Sequence, residues 1–290
     1  VPRPVRRPEQ LRGRVFRGTS AVRSGLLTAD CLRGPGWVRL FPDVYADATL
    51  DVTHTVRARA VGRLLLPHGV LSGASAAALW GLADLALPED DVEVTVAPGT
   101  PRGAAAGVAV RRRLVPAAQV RPVEGVRATA PETTALELAA RLAPDDAVVL
   151  LDRFVAARLT TLTTLQLTAA ELSGRGCRRA RQATSLADGL AGSPQETRLR
   201  LLLHRSPLPR PVAQHVVRRD GVFVARVDFA WPARRIALEY EGAWHTTRIA
   251  ADRRRLEGLQ AAGWRVLFVT AADLHSPAAL LARIAAALGE

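Results

Sequence analysis

The sequence predicts a multi-domain α/β protein of α+β character, and three observations carry that expectation. At 290 residues the chain is long for one compact domain. Hydrophobic residues make up 48% of it, enough for real cores. Over the last hundred residues helical and strand-like stretches follow in the order α-β-β-β-α-β-α, which describes a mixed sheet with helices on its faces.

Taken in order, residues 1–14 form a Pro/Arg-rich arm. Residues 15–50 hold a first unit. Thr19 or Ser20 caps a short helix ended by Gly25, Thr28 caps a second, and Gly34-Pro35-Gly36 stops it. "WVRLF" and "DVYAD" then read as two strands joined at Pro42-Asp43. Helix, turn, helix, hairpin is the order of a small winged helix, although any small α+β subdomain shares it. Residues 51–142 read as an α/β domain. It has helices at 54–66, at 72–82 with Ser72 as cap, and at 131–142, and strands at 91–97 and 107–114. Residues 143–192 read as a helical connector with a basic face at 174–183, and Gly189 to Ser193 as a boundary.

From 193 the chain is the most legible. Ser193, Pro194 and Glu196 open a helix. Strands follow at 210–219 and 222–231 around the turn Asp220-Gly221, then "IALEYE" at 236–241. A helix over 248–262, a strand over 264–270 and a helix over 276–288 complete it.

Charge narrows the function. The formal net charge is +13, and all 40 basic residues are arginine; lysine, asparagine and methionine are absent. A GC-rich genome accounts for Arg over Lys, but not for the excess of positive charge. Residues 1–45 carry 9 Arg against 3 acids, and residues 193–290 carry 15 against 9, while the middle is close to balanced. Two basic ends on one chain suggest a polyanion partner, with nucleic acid first. Cys31 and Cys177 stand alone and no Cys/His cluster has zinc spacing, so reduced thiols and no structural zinc are expected. No apolar segment follows the basic start and no 18-residue apolar run occurs. The expectation is therefore a cytoplasmic protein with no membrane partner.

"IALEYEGAWH" places Glu239 and Glu241 in an otherwise apolar strand. Residues two apart share a strand face, so both acids point away from Ile236, Leu238 and Tyr240. On the preceding strand Ala225, Val227 and Phe229 are expected on one face. Folding the hairpin about Ala233-Arg234 sets Asp228 opposite Glu239, with Cβ atoms roughly 4.5–5.5 Å apart. Like charges that close need compensation, and a hard divalent cation, Mg²⁺ or Mn²⁺, supplies it. Arginine partners on a solvated strand face are the alternative. Glu196 is a further candidate ligand, His245 follows the strand, and Arg253, Arg254 and Gln260 are available on the next helix.

"SPQET", "ARVDFAWPARRIALEYEGAWH", "DRRRLEGLQAAGW" and "VLFVTAADL" together resemble the Vsr-like endonuclease domain (DUF559) of the PD-(D/E)XK superfamily, over 193–290. The resemblance implies a restriction-endonuclease-like mixed sheet and a Mg²⁺-dependent endodeoxyribonuclease. Asp228 and Glu239 would be metal ligands with Glu196 in support. Glu241 stands where the superfamily usually keeps lysine. Glu241 or His245 would then act as general base or acid, and Arg253 or Arg254 would balance phosphate charge. "GLLTADCLRGPGWVRLFPDVYAD", "LSGASAAALWGL", "VEVTVAPG" and "TAPETTALELA" resemble AbiEi-type antitoxins and regulators over 15–142. That resemblance implies a winged helix on DNA, with Arg23, Arg33 and Arg39 as phosphate contacts and a possible toxin partner. Trp37, Trp80 and Trp264 read as core residues. Two functions compete: a metal-dependent DNA endonuclease with an N-terminal targeting region, and an AbiEi-type DNA-binding regulator or antitoxin whose nuclease-like domain is inactive.

Overall fold

A computed structural model describes residues 7–100, 105–241 and 249–289. It divides into two units, Val1–Leu138 and Ala139–Glu290.

The first unit opens with β1 (Val15–Arg17), α1 (Gly18–Arg23), α2 (Ala29–Leu32), β2 (Trp37–Phe41) and β3 (Val44–Asp47). The strands form an antiparallel sheet in the order β1-β3-β2, closed at the β2–β3 turn by Asp43 at φ +60°. Thr28 caps α2 as expected, its side chain accepting from the Cys31 amide. Thr19 and Ser20 do not cap α1. That helix starts earlier, after Arg17, and Thr19 is held instead by the Asp43 carboxylate through its amide and hydroxyl, both at 2.7 Å. Strand β1 is a third strand, not expected from the sequence. Trp37 is core, packed edge-on against Phe16 with ring centroids 5.1 Å apart.

The rest of this unit is a five-stranded sheet, ordered β6-β5-β4-β8-β7, with three helices in the same stretch. These elements are α3 (His54–Ala60), β4 (Val70–Leu71), α4 (Gly73–Leu79), β5 (Val92–Val96), β6 (Val108–Arg112), β7 (Val120–Val123), β8 (Val126–Thr129) and α5 (Pro131–Ala139). α3 continues as a π-helical turn over Val61–Leu65, closed by Leu66 N–H donating to the Val61 carbonyl at 2.7 Å. Ser72 precedes α4 but makes no side-chain cap; its hydroxyl accepts from Thr95 at 2.9 Å. β7 and β8 form an unforeseen hairpin. Its turn is Glu124-Gly125, both at positive φ.

The second unit contains α6 (Pro144–Ala156), α7 (Leu162–Glu171), α8 (Cys177–Leu186), α9 (Pro194–Arg205), β9 (Val212–Arg219), β10 (Val222–Trp231), β11 (Ile236–Tyr240), α10 (Ile249–Ala261), β12 (Arg265–Val269), α11 (Ala271–Leu274) and α12 (Pro277–Leu288). The sheet order is β12-β11-β10-β9. β9, β10 and β11 are antiparallel, while β11 and β12 run parallel. The β9–β10 hairpin turns at Asp220-Gly221 with φ of +50° and +81°, as the dipeptide predicts. Leu199 and Leu203 of α9 and Leu280, Ile284 and Leu288 of α12 pack with Phe229, Trp231, Ile236 and Leu238. Leu259 of α10 packs with Val217, Ala225, Val227 and Ala237. Helices thus cover both sheet faces, because apolar residues of both parities on β10 and β11 need burial. The connector and the C-terminal sheet belong to this one unit.

Candidate functional site

The carboxylates gather where β10 changes face. Period two would keep Ala225, Val227 and Phe229 together. Instead Ala225 and Val227 join the cluster under α10, while Phe229 joins the one under α9 and α12. The switch falls at Asp228. Across from it on β9, Gln214 takes φ +49°, a left-handed backbone that breaks the regular pleat. His215, paired with Val227, lies against Trp264, with ring centroids 5.4 Å apart; Ala213, paired with Phe229, packs with the other cluster. Strict alternation fails here because both strands are reset at one position.

The β10–β11 register runs Trp231↔Ile236, Ala230↔Ala237, Phe229↔Leu238, the count from the turn that the hairpin predicts, and the ladder ends there, one position short of Asp228 and Glu239. The two acids then diverge. Asp228 accepts from the Tyr240 amide at 2.9 Å and from the Gln214 side-chain amide at 3.5 Å. Gln214 also donates to Glu196 at 3.5 Å, so one amide bridges two carboxylates. Glu196 lies in the first turn of α9, accepting from Gly192 N–H at 2.7 Å and Ser193 Oγ–H at 2.9 Å, and so helps cap the helix. Burial pushes both carboxyls above their ordinary range; for Glu196 the nearby Asp228 charge pushes further in the same direction.

Glu239 has a different partner. It is 8% exposed, and the Arg255 guanidinium of α10 holds it bidentately at 2.5 and 2.7 Å while also donating to the Arg226 carbonyl at 2.9 Å. The sequence pointed to Arg253 and Arg254 rather than Arg255, but both are exposed on α10, as is Gln260. The sequence narrows the choice only so far: one arginine of the run Arg253-Arg254-Arg255 can point inward at once, and the structure shows that it is Arg255. For Gln214 there is no signal, because nothing in sequence marks its left-handed backbone. Glu241 is half-buried, and its amide donates to the Val269 carbonyl at 2.7 Å. His245 lies outside the described residues.

A hard divalent cation needs several oxygens free to turn toward it. Both oxygens of Glu239 are committed to Arg255. Among the described residues no three His, Cys, Asp or Glu side chains are grouped to hold a metal ion. As arranged, Glu239 is turned to Arg255, while Asp228 and Glu196 share the Gln214 amide. Arg255 offsets the Glu239 charge, and the Gln214 amide lies between the Asp228 and Glu196 carboxylates.

A pH dependence follows. A carboxyl whose folded pKa is raised contributes stability below its unfolded pKa, about 4, and loses it as pH rises through the folded value. Asp228→Asn keeps an acceptor for Tyr240 N–H and removes that loss. The variant is expected to be more stable than wild type at neutral pH, with the gap closing in acid. Urea midpoints at both pH values check this; a less stable variant at neutral pH would contradict it.

The candidate nucleic-acid arginines lie on the first unit's surface. Arg23 ends α1, Arg33 follows α2 and pairs with Asp30, and Arg39 lies on β2; all three are exposed.

Two proteins from strains of Mycobacterium tuberculosis, the uncharacterised proteins Rv2248 and MT2308, are each 33% identical to this chain over 264 residues, covering 88% of it and 93% of their own length. The chain belongs to one family with them. Residues 68–204 match the AbiEi antitoxin C-terminal domain. That match begins inside the region expected for the resemblance and runs past residue 142, through the helical connector into α9. A solved structure, the RV2827C protein of Mycobacterium tuberculosis, is 19% identical with a TM-score of 0.41, covering 71% of this chain and 84% of that one. Among the described residues, no helix is long and apolar enough to cross a membrane.

Proposed function

We propose that the chain is a DNA-binding regulator of the AbiEi antitoxin kind, acting in a toxin or defence context. The observation that carries this reading is the match of residues 68–204 to the antitoxin domain. The basic stretch 1–45 supports it, with residues 15–50 read as winged-helix-like and docking duplex DNA through Arg23, Arg33 and Arg39. In this reading the C-terminal sheet is a nuclease-like fold whose Glu239 is neutralised by Arg255, and it serves binding rather than hydrolysis.

The test is binding to duplex DNA across a salt series. Phosphate contacts release counterions, so affinity is expected to fall roughly 10- to 100-fold between about 50 and 200 mM salt. Reversing Arg23, Arg33 and Arg39 to Glu is expected to abolish it in a folded protein. Salt-independent affinity, or full binding by the triple variant, would reject the reading.

A second reading keeps the chain as a Mg²⁺- or Mn²⁺-dependent endodeoxyribonuclease. It is favoured by the Glu196–Gln214–Asp228 cluster, two raised carboxyls beside a strained backbone, the kind of place where active sites concentrate. Plasmid DNA incubated with either metal separates the two. The regulator leaves it intact, whereas the nuclease nicks or cuts it and loses that activity in Asp228→Ala and Glu239→Ala.

A further inference from the structure

In the first unit a cleft of about 420 Å³ lies between the start of the three-stranded sheet and α3 with its π-helical extension. Three arginines line it: Arg14 before β1, Arg59 on α3 and Arg63 on the π-turn. Leu50, Val56 and Leu64 give it an apolar wall. Arg59 pairs with Glu124, and Arg63 donates to the Glu124 carbonyl, so one acidic turn offsets part of this charge. Among the described residues the Arg14 side chain has no hydrogen-bond or ion-pair partner. Three guanidiniums against one carboxylate leave an excess that an anion would neutralise.

The backbone adds a second observation. A π-turn is rare within a helix and is frequent at functional positions. Here it carries Arg63 and Leu64, one charged and one apolar contributor to the same cleft. The volume lies in the range of small-molecule sites, and the lining sets three guanidiniums beside a smaller apolar wall. Guanidiniums match phosphate oxygens in charge and in fork geometry.

We propose that this cleft binds a nucleotide, with its phosphates on Arg14, Arg59 and Arg63 and its base against Leu50, Val56 and Leu64. Such a ligand touches both the three-stranded sheet unit and the helix that begins the next sheet domain. It therefore links their relative placement to ligand level, and through the first unit to DNA affinity. That last step rests on the DNA-binding reading; the binding of the nucleotide does not.

Calorimetry on the full chain at low salt, with ATP, GTP, adenosine and pyrophosphate, tests the site. ATP or GTP is expected to bind and adenosine not to. Arg14→Ala combined with Arg63→Ala is expected to weaken binding by about tenfold or more, as the loss of charge-assisted hydrogen bonds requires. Arg14→Ala alone breaks no hydrogen bond or ion pair among the described residues, so its weaker binding at an unchanged melting temperature separates the site from the fold. No binding of either nucleotide, or binding unchanged in both variants, overturns the proposal. Loss of duplex affinity in the variants without nucleotide binding assigns the cleft to the DNA backbone and overturns it as well. Nucleotide binding in a chain that ignores DNA upholds the site and rejects only the regulator reading.

Discussion

Replacing Asp152 with Ala is expected to destabilise the second unit by about 3–5 kcal/mol. Asp152 sits on α6 and is 2% exposed. One oxygen accepts from the Asp188 and Gly189 amides, both at 2.9 Å; the other accepts from Thr197 Oγ–H and Arg200, both at 2.8 Å. Arg200 continues to Asp188 at 3.1 Å and to the Leu186 carbonyl at 2.6 Å. One carboxylate therefore joins α6, the segment after α8, and α9. Truncating it strands two amides, a hydroxyl and one guanidinium nitrogen away from water, and leaves the Arg200 charge with Asp188 as its one remaining carboxylate partner. Asp146→Ala is the control. Its pair with Arg198 is roughly half-exposed on both sides, and such pairs contribute under about 1 kcal/mol. Urea unfolding of both variants checks the contrast. Equal losses would show that the network is not what joins these helices.

The same network explains why the helical connector and the C-terminal sheet behave as one unit. It also bears on where the antitoxin-domain match ends. Residue 204 is the next to last of α9, the helix that supplies Thr197 and Arg200. Dividing the chain within residues 189–193 would separate Asp152 from Thr197 and Arg200 and lose the network.

Much of this fold is legible because its signals are local. Thr28, the Asp220-Gly221 turn and the Ser193-Pro194 helix start each depend on a few adjacent residues, and each appears where the sequence places it. The β10–β11 register is legible too, because a hairpin fixes register by counting from its turn. What escapes depends on tertiary context. The face switch at Asp228 is set by Gln214's left-handed backbone on a neighbouring strand, and a periodic reading of β10 alone averages over it. β4, two residues long, and the β7–β8 hairpin are too short or too polar to announce themselves. Within the arginine run, choosing Arg255 requires knowing which side of α10 meets β11. That choice bears most on the functional reading, since the expected metal ligand Glu239 is also one half of an ion pair.

Arg255→Gln is expected to cost about 2–3 kcal/mol, between the values for exposed and buried pairs, since Arg255 is 37% exposed and Glu239 11% at the side chain. The cost arises because Glu239 keeps its charge beneath α10 after its bidentate donor is gone. Glu239→Gln alone strands the guanidinium less, since Arg255 can turn toward water, and is expected to cost about 1–2 kcal/mol. Combining both replaces an ion pair with two amides of matched hydrogen bonding, so the double variant is expected to be more stable than the sum of the single losses predicts. A double-mutant cycle by urea unfolding measures that coupling, and a coupling near zero would remove the pair from the structural account. Repeating the cycle with Mg²⁺ makes it a functional test. If Glu239 serves only to anchor α10 on β11, the metal leaves all four proteins unchanged. If Arg255 instead stands in for a cation, removing it frees both Glu239 oxygens for a metal, and Mg²⁺ restores stability to Arg255→Gln while leaving Glu239→Gln untouched. The regulator reading expects the first pattern; the second would return the nuclease reading to the front.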